Sequence, residues 1–335
     1  MIDLLPSPEQ QQIVDSVVEF LAGSLPVSRL RPGGGAGVAL SDAQWRDIAA
    51  LGWFGMGVPD GLGGVGYSLA EEMLVARELG RHVASPALMA AMVAAHVAAH
   101  ANPRSLYERI ASGECRVGLA KPLQGGDCHL IDAVDAELLL VCQAQGASLY
   151  ERAAFTSVVS VVPFDGSVQL ERGRLLASAV PVATVASTQQ PLPAHAAVLV
   201  AAQQVGVAEA ARDLAVEYAK VREQFGHPIG SFQAVKHRCA DMAMAAEAAY
   251  AQTTFAALSL QAGEVDAPFQ VAVATVIAAE WALANARSGI QVHGGIGFTS
   301  ECDAHWFLKR AHLLEQLSGP RGVHRAAVLV QGSTL

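Results

Sequence analysis

The chain has 335 residues, 52 % apolar and only 16 % charged, with a formal net charge of -9. That length allows one large or two to three modest domains and a large core, while the acidic balance without a basic stripe excludes a nucleic-acid binder. The five cysteines (115, 128, 142, 239 and 302) are odd in number and lack CxxC spacing, so they read as reduced thiols of a cytoplasmic protein.

The opening MIDLLPSPEQQQ has neither a basic nor an apolar leader region, so no signal peptide is expected. Ser7 followed by Pro8 and Glu9 predicts a helix start, and Ile13, Val14, Val17, Val18 and Leu21 recur at helical spacing. Residues 31–37 (RPGGGAG) predict a loop. Residues 41–51 predict a second helix, with Ser41 and Gln44 placed as a capping box. A glycine loop at 60–67 leads to a helix over 69–80 that Ser68 opens. The apolar run 84–99 is broken by Ser85, Pro86 and His96, so no membrane span is expected there. A helix at 106–113 closes this region.

The pattern changes at Cys115. Residues 116–120, 138–141 and 158–162 are short apolar runs bounded by Gly, Asp or Pro, and they predict strands of a small β domain. Helical periodicity returns at Pro193 and holds to about residue 330. The expected fold is therefore α+β and multidomain: an N-terminal helical domain (1–113), a reduced middle β domain (114–190) and a C-terminal four-helix-type bundle (191–335).

Gly61, Gly63 and Gly66 spell GxGxxG, but no predicted strand precedes them, so a loop between helices is expected instead of a dinucleotide fingerprint. His96 and His100 share a helix face, yet no third ligand lies near them in sequence, so no metal site is expected. Residues 218–234 (YAKVREQFGHPIGSFQA) set Arg222, Gln224, Phe225 and Gly226 at a helix end. Residues 291–299 (QVHGGIGFT) end a long apolar helix in Gln291 and closely spaced glycines. The guanidinium of Arg222 offers a planar fork suited to a pyrophosphate, and Gly294, Gly295 and Gly297 let backbone approach a flat ligand.

These two segments resemble the flavin-contacting parts of the acyl-CoA dehydrogenase family, which reach across a dimer interface to the FAD of the neighbouring subunit. The stretches WRDIAALGWFGMGVPDGLGGVG (45–66), ARELGR (76–81) and LYERIASGECRVGLAKP (106–122) resemble the same family, so the likeness runs from about residue 8 to 329. The resemblance implies that Arg222, Gln224, Phe225, Gln291, Gly294 and Gly295 contact FAD at a subunit interface. It also implies an acyl-CoA or acyl-carrier thioester as substrate.

The family removes an α-proton with a carboxylate. At the usual position, before Gly319, this chain has Ser318, and at the minority position it has Ala196. Glu315 is the nearest acid, one turn earlier, and is the candidate for a displaced base. The ring-binding half is also depleted. Lys121, Pro122, Gly126 and Asp127 keep fragments of the family's turn, while the hairpin bearing its aromatic-Ile-Thr strand is absent. This combination resembles the short non-catalytic subunit of heteromeric α2β2 acyl-CoA dehydrogenases, paired with a related catalytic subunit. Two alternatives stand beside it: an active homotetramer using Glu315, and a flavin-free structural partner.

Overall fold

The computed structural model describes residues 4–33, 39–101 and 104–332. Residues 34–37 of the expected glycine loop lie outside the described residues. Five helices come first: α1 (Pro8–Ser24), α2 (Asp42–Ala50), α3 (Leu69–Arg81), α4 (Pro86–Ala101) and α5 (Arg104–Ala111). Seven strands follow: β1 (Val117–Pro122), β2 (Asp127–Ile131), β3 (Leu138–Gln143), β4 (Gly146–Glu151), β5 (Phe155–Val161), β6 (Leu170–Leu175) and β7 (Ala183–Ala186). The C-terminal part holds α6 (Leu192–Val221), a short hairpin of β8 (Glu223–Gln224) and β9 (His227–Pro228), then α7 (Gln233–Ala262), α8 (Ala267–His293), α9 (Ala304–Ser318) and α10 (Arg321–Gly332). The expected helix–strand–helix order is the order observed.

Local chemistry sets several boundaries. The Ser7 and Ser41 hydroxyls each accept a hydrogen bond from the backbone N–H three residues on, and the Gln10 and Gln44 side chains each accept one from the cap residue's backbone N–H. Such a cap contributes ~1 kcal/mol. Gly63 and Gly66 take positive φ of 93° and 79° in the loop before α3. No strand precedes them among the described residues, so the GxGxxG run is a turn between helices.

Two compact units are present. The first gathers residues 1–37, 73–84 and 197–335, and the second 38–72 and 85–196. They are discontinuous in sequence, whereas the sequence-based division is contiguous. Helices α3 and α6 contribute residues to both.

The second unit is built on one sheet in the order β5-β6-β2-β1-β3-β4-β7. Its neighbours pair antiparallel except β1 with β3, which are parallel. One face closes on Ala120, Leu130, Leu139, Val141 and Phe155. Helix α4 packs on β1, β3, β4 and β7 and is buried from Pro86 to Ala99. Its sequence is apolar on every side, so no face of it needs water.

The first unit is a helical bundle in which α7, α9 and α10 all pack on α8. Small side chains let the axes approach. A Cβ on Gly289 of α8 would lie 3.2 Å from the Ala211 carbonyl oxygen of α6. Between α3 and α6 the approach is closer still: a Cβ on Gly206 would fall 1.9 Å from the Arg77 carbonyl oxygen. The Asn285 side chain donates to the carbonyls of Ala208 (3.0 Å) and Met242 (2.9 Å), tying α8 to α6 and α7. Beside it runs an ionic cluster in which Arg77 pairs with Glu209 and Arg81 with Glu209 and Asp213. Residues 267–298 are long and apolar enough to cross a bilayer by length and composition, a longer apolar stretch than the 84–99 run singled out in the sequence. Half of its most apolar window is buried inside the protein, as befits the central helix of a bundle.

Candidate functional site

The two glycine-bearing segments meet at one end of the bundle. Helix α6 ends at Val221 and α8 at His293, and the rings of Tyr218 and His293 stack with centroids 4.3 Å apart. His293 Nδ1 lies 2.7 Å from the Gly289 carbonyl oxygen, which fixes the proton on Nδ1. Ala215, Ala219, Met242 and Val292 fill the space beneath, with Tyr218, Ile229 and Val235 packed against them.

Beyond α6 the chain turns at once. Gln224 pairs with His227, and the intervening Phe225 and Gly226 both have positive φ, 55° and 77°. Two successive positive φ values are the type I′ pattern of a tight hairpin, where Asn-Gly is the favoured pair. Phe at the first position costs about 1–2 kcal/mol in backbone strain. Phe225 is 91 % exposed, and its ring meets that of Phe232 edge-on with centroids 6.2 Å apart. Phe298, in the glycine segment, is 73 % exposed. Burial in the isolated chain therefore does not explain either aromatic ring.

The polar groups at this end are equally uncommitted. Arg222 and Gln291 are exposed, and neither side chain has a hydrogen bond or ion pair among the described residues. Gln224 Nε2 donates to its neighbour's carbonyl, Glu223, at 2.8 Å. Gly294 and Gly295 have nothing within 4 Å of where a Cβ would stand, and Gly294 has φ 67°. A free guanidinium, open glycine backbone and outward aromatic rings suit a flat anionic dinucleotide such as FAD. This half of a flavin site fits.

The ring-binding half does not fit. Lys121 and Pro122 close β1, and a turn through Gly125 and Gly126, both at positive φ, leads straight into β2. The Leu123 amide donates to the Asp127 carbonyl (2.8 Å), sealing the hairpin. The Asp127 carboxylate is held by Arg172 and Arg174 of β6, whose hydrogen bonds keep it below the usual carboxylate range. Neither the turn nor the acid is left to meet an isoalloxazine ring.

The base positions are also occupied. Ser318 is the last residue of α9, and its hydroxyl donates to the Leu314 carbonyl at 3.0 Å. Ala196 is buried in α6. Glu315 is paired with the Arg321 guanidinium, with His312 Nδ1 3.7 Å away. A carboxylate so engaged must break its ion pair before it can take a proton from a substrate.

Sequence spacing missed one cluster. His96 was expected without a third ligand, but the fold sets its Nε2 3.0 Å from Glu72 Oε1, and His195 Nε2 lies 2.7 Å from Glu72 Oε2. Burial raises the Glu72 carboxyl, but electrostatic attraction and hydrogen bonding from the neighbouring His195 and His96 rings outweigh it, for a net lowering. The three residues are far apart in sequence, so no spacing rule reveals them.

Comparisons with known proteins agree with this architecture. Residues 7–112 match the acyl-CoA dehydrogenase N-terminal domain, and residues 189–331 match the acyl-CoA dehydrogenase C-terminal domain. The chain is 32 % identical to acyl-CoA dehydrogenase IpdE2 of Mycobacterium tuberculosis over 327 residues, covering 96 % of this chain and 97 % of that one. It is 35 % identical over 307 residues to acyl-CoA dehydrogenase FadE34 of the same organism, covering 86 % of this chain but 42 % of that longer protein. Among solved structures, a chain of the ChsE4–ChsE5 complex from Mycobacterium tuberculosis superposes with TM-score 0.83 at 22 % identity over 100 % of both chains, a likeness of fold. With its helical domains matched at both ends and a full-length relative at 32 % identity, the chain belongs to the acyl-CoA dehydrogenase family of FAD-using oxidoreductases.

Proposed function

We propose that this chain is a subunit of a heteromeric acyl-CoA dehydrogenase, contributing FAD contacts across an interface to a related catalytic partner. The observation that carries the reading is the display of Phe225, on a strained hairpin, beside an unpaired Arg222. Strain of this kind persists where a local conformation serves a contact. Arg222 would grip the pyrophosphate with its planar fork, and Gln291 with the Gly294–Gly295 backbone would lie against the adenylate end. Bound FAD supplies the acceptor for a hydride from the substrate β-carbon. This chain's part is to position and enclose. Its Ser318 hydroxyl, committed to Leu314, offers no base for the α-proton. The reaction class is α,β-dehydrogenation of an acyl thioester, on CoA or a carrier protein, in the cytoplasm. That the ChsE4–ChsE5 structure is a complex supports a two-chain assembly.

Co-expression with a candidate catalytic partner tests the reading, with flavin counted per chain. The chain alone should be colourless and the complex yellow. Loss of a bidentate, charge-assisted contact is worth about 1.5–3 kcal/mol, so Arg222→Ala should weaken FAD retention by the complex roughly ten- to a hundredfold. Unchanged flavin content in that variant would count decisively against the proposal. A yellow homo-oligomer that turns over a thioester and loses about a hundredfold or more in rate on Glu315→Gln would instead establish the displaced-base alternative. A stable, colourless assembly that never takes up flavin would establish a purely structural role.

A further inference from the structure

We propose that Glu72, His96 and His195 form a binding site for a single first-row divalent transition-metal ion, of the zinc class. The three ligands come from three helices, α3, α4 and α6, and all lie within the second unit. One donor atom from each stands within 4.8 Å of the other two. Donors on one zinc ion sit ~2.0–2.1 Å from it, so pairs of them lie roughly 3–4 Å apart. The Glu72 carboxylate is already at 3.0 Å from one imidazole nitrogen and 2.7 Å from the other, so closing the set around an ion needs only small rotamer shifts.

One buried carboxylate holds both imidazoles. His96 Nε2 and Glu72 Oε1 form an ordinary hydrogen bond. His195 Nε2 and Glu72 Oε2 are both buried and lie 2.7 Å apart, with no further hydrogen-bond partner for either atom among the described residues. Buried polar atoms of this kind cost about 1–3 kcal/mol each wherever they are left unpaired. A cation shared between an oxygen lone pair and an imidazole lone pair removes that cost. Glu72 is fully buried, so its carboxyl is removed from bulk solvent and depends on its neighbours for compensation. The backbone is also shaped to the carboxylate, because a Cβ on Gly57 would fall 2.3 Å from the Glu72 carboxyl carbon.

The donor set decides the class of ion. Two imidazoles and one carboxylate favour zinc and its first-row neighbours over magnesium or calcium, which prefer all-oxygen shells. Three protein ligands leave one coordination position for a water. Such an ion would cross-link three helices, through two buried side chains and the part-buried His195.

The test uses the full chain, in complex with its partner where the two co-purify, prepared without nickel resin and without chelator. Elemental analysis should find about one zinc-class ion per chain. After chelation, Co2+ should restore a visible ligand-field band that saturates near one equivalent and is displaced by Zn2+. Glu72→Gln and His195→Gln should each weaken Co2+ binding by more than the ~10–100-fold that outer-sphere changes cause. His100→Gln, one turn beyond His96 and outside the set, should leave the titration unchanged. A wild-type protein that shows no band at saturating Co2+ overturns the proposal, as does a band that survives both ligand variants. If the variants fail to fold, the wild type still decides: its thermal midpoint must rise with Zn2+ and fall with EDTA, and an unchanged midpoint overturns the site.

Discussion

Replacing Gly206 with Ala adds one methyl group at the tightest crossing in the bundle. The new Cβ would lie 1.9 Å from the Arg77 carbonyl oxygen and 2.8 Å from the Arg81 amide nitrogen. Both neighbours are helix backbone, so no rotamer change can clear them. Restoring ordinary contact near 3.4 Å requires α3 and α6 to part by about 1.5 Å at this level. The same movement stretches the 2.7 Å contact between Arg77 Nε and Glu209. Overpacking of this kind costs ~3 kcal/mol, and the better helix propensity of Ala returns ~1 kcal/mol, for a net loss of about 2 kcal/mol. Gly23 in α1 supplies the control, because nothing stands within 4 Å of its missing Cβ. Gly23→Ala should stabilise the protein by ~0.5–1 kcal/mol. Urea denaturation of both variants, followed by tryptophan fluorescence at equal protein concentration, gives the two midpoints. Opposite signs are expected for the same chemical change. If Gly206→Ala shifts the midpoint as Gly23→Ala does, the close helix contact is not what the glycine is there for.

Phe225→Asn should relax the hairpin, raising the stability of the isolated chain by about 1 kcal/mol while lowering flavin retention in the complex. The two readouts, midpoint and bound flavin, must move in opposite directions. Burial pushes the Cys115 and Cys142 thiols up to about 12, so both should resist a thiol reagent at pH 8.5 until the protein is denatured, as peptide mapping of the labelled chain would report. Burial holds His82 below its ordinary value, so the unfolded chain takes up that proton first. Stability should therefore fall as pH drops below about 6.5, and His82→Gln should flatten the decline measured in urea between pH 7 and 5.5. Ser41→Ala removes one capping box and should cost ~1 kcal/mol by the same titration.

What was legible in the sequence was what is decided locally. The helix start at Ser7, the capping box at Ser41, the return of helix at about Pro193 and the break after Val221 all depend on neighbours a few residues away. Strands β2 and β6 were not delineated, for a physical reason. Their partners carry the compensating charge, as when Asp127 meets Arg172 and Arg174 across the pair, so neither strand reads as an apolar run. The two segments proposed to face flavin could be singled out because their unusual residues sit close together in the chain. The Glu72–His96–His195 cluster was not, because it is assembled only by tertiary packing of helices that are distant in sequence.

Asn285 bears on the spacing of the two segments proposed to hold the cofactor. The faces that α6, α7 and α8 turn to one another are lined largely with alanine, and such smooth surfaces tolerate sliding by a fraction of a turn at little energetic penalty. A single buried amide, gripping one carbonyl on each neighbouring helix, removes that freedom. It lies less than two turns before Gln291, so it sets the height at which Gln291 emerges relative to the Arg222 hairpin. Buried polar groups of this kind act as index pins for alignment more than as sources of stability. The spacing between the two segments proposed to face flavin would then be gauged from inside the bundle, by a buried amide behind them.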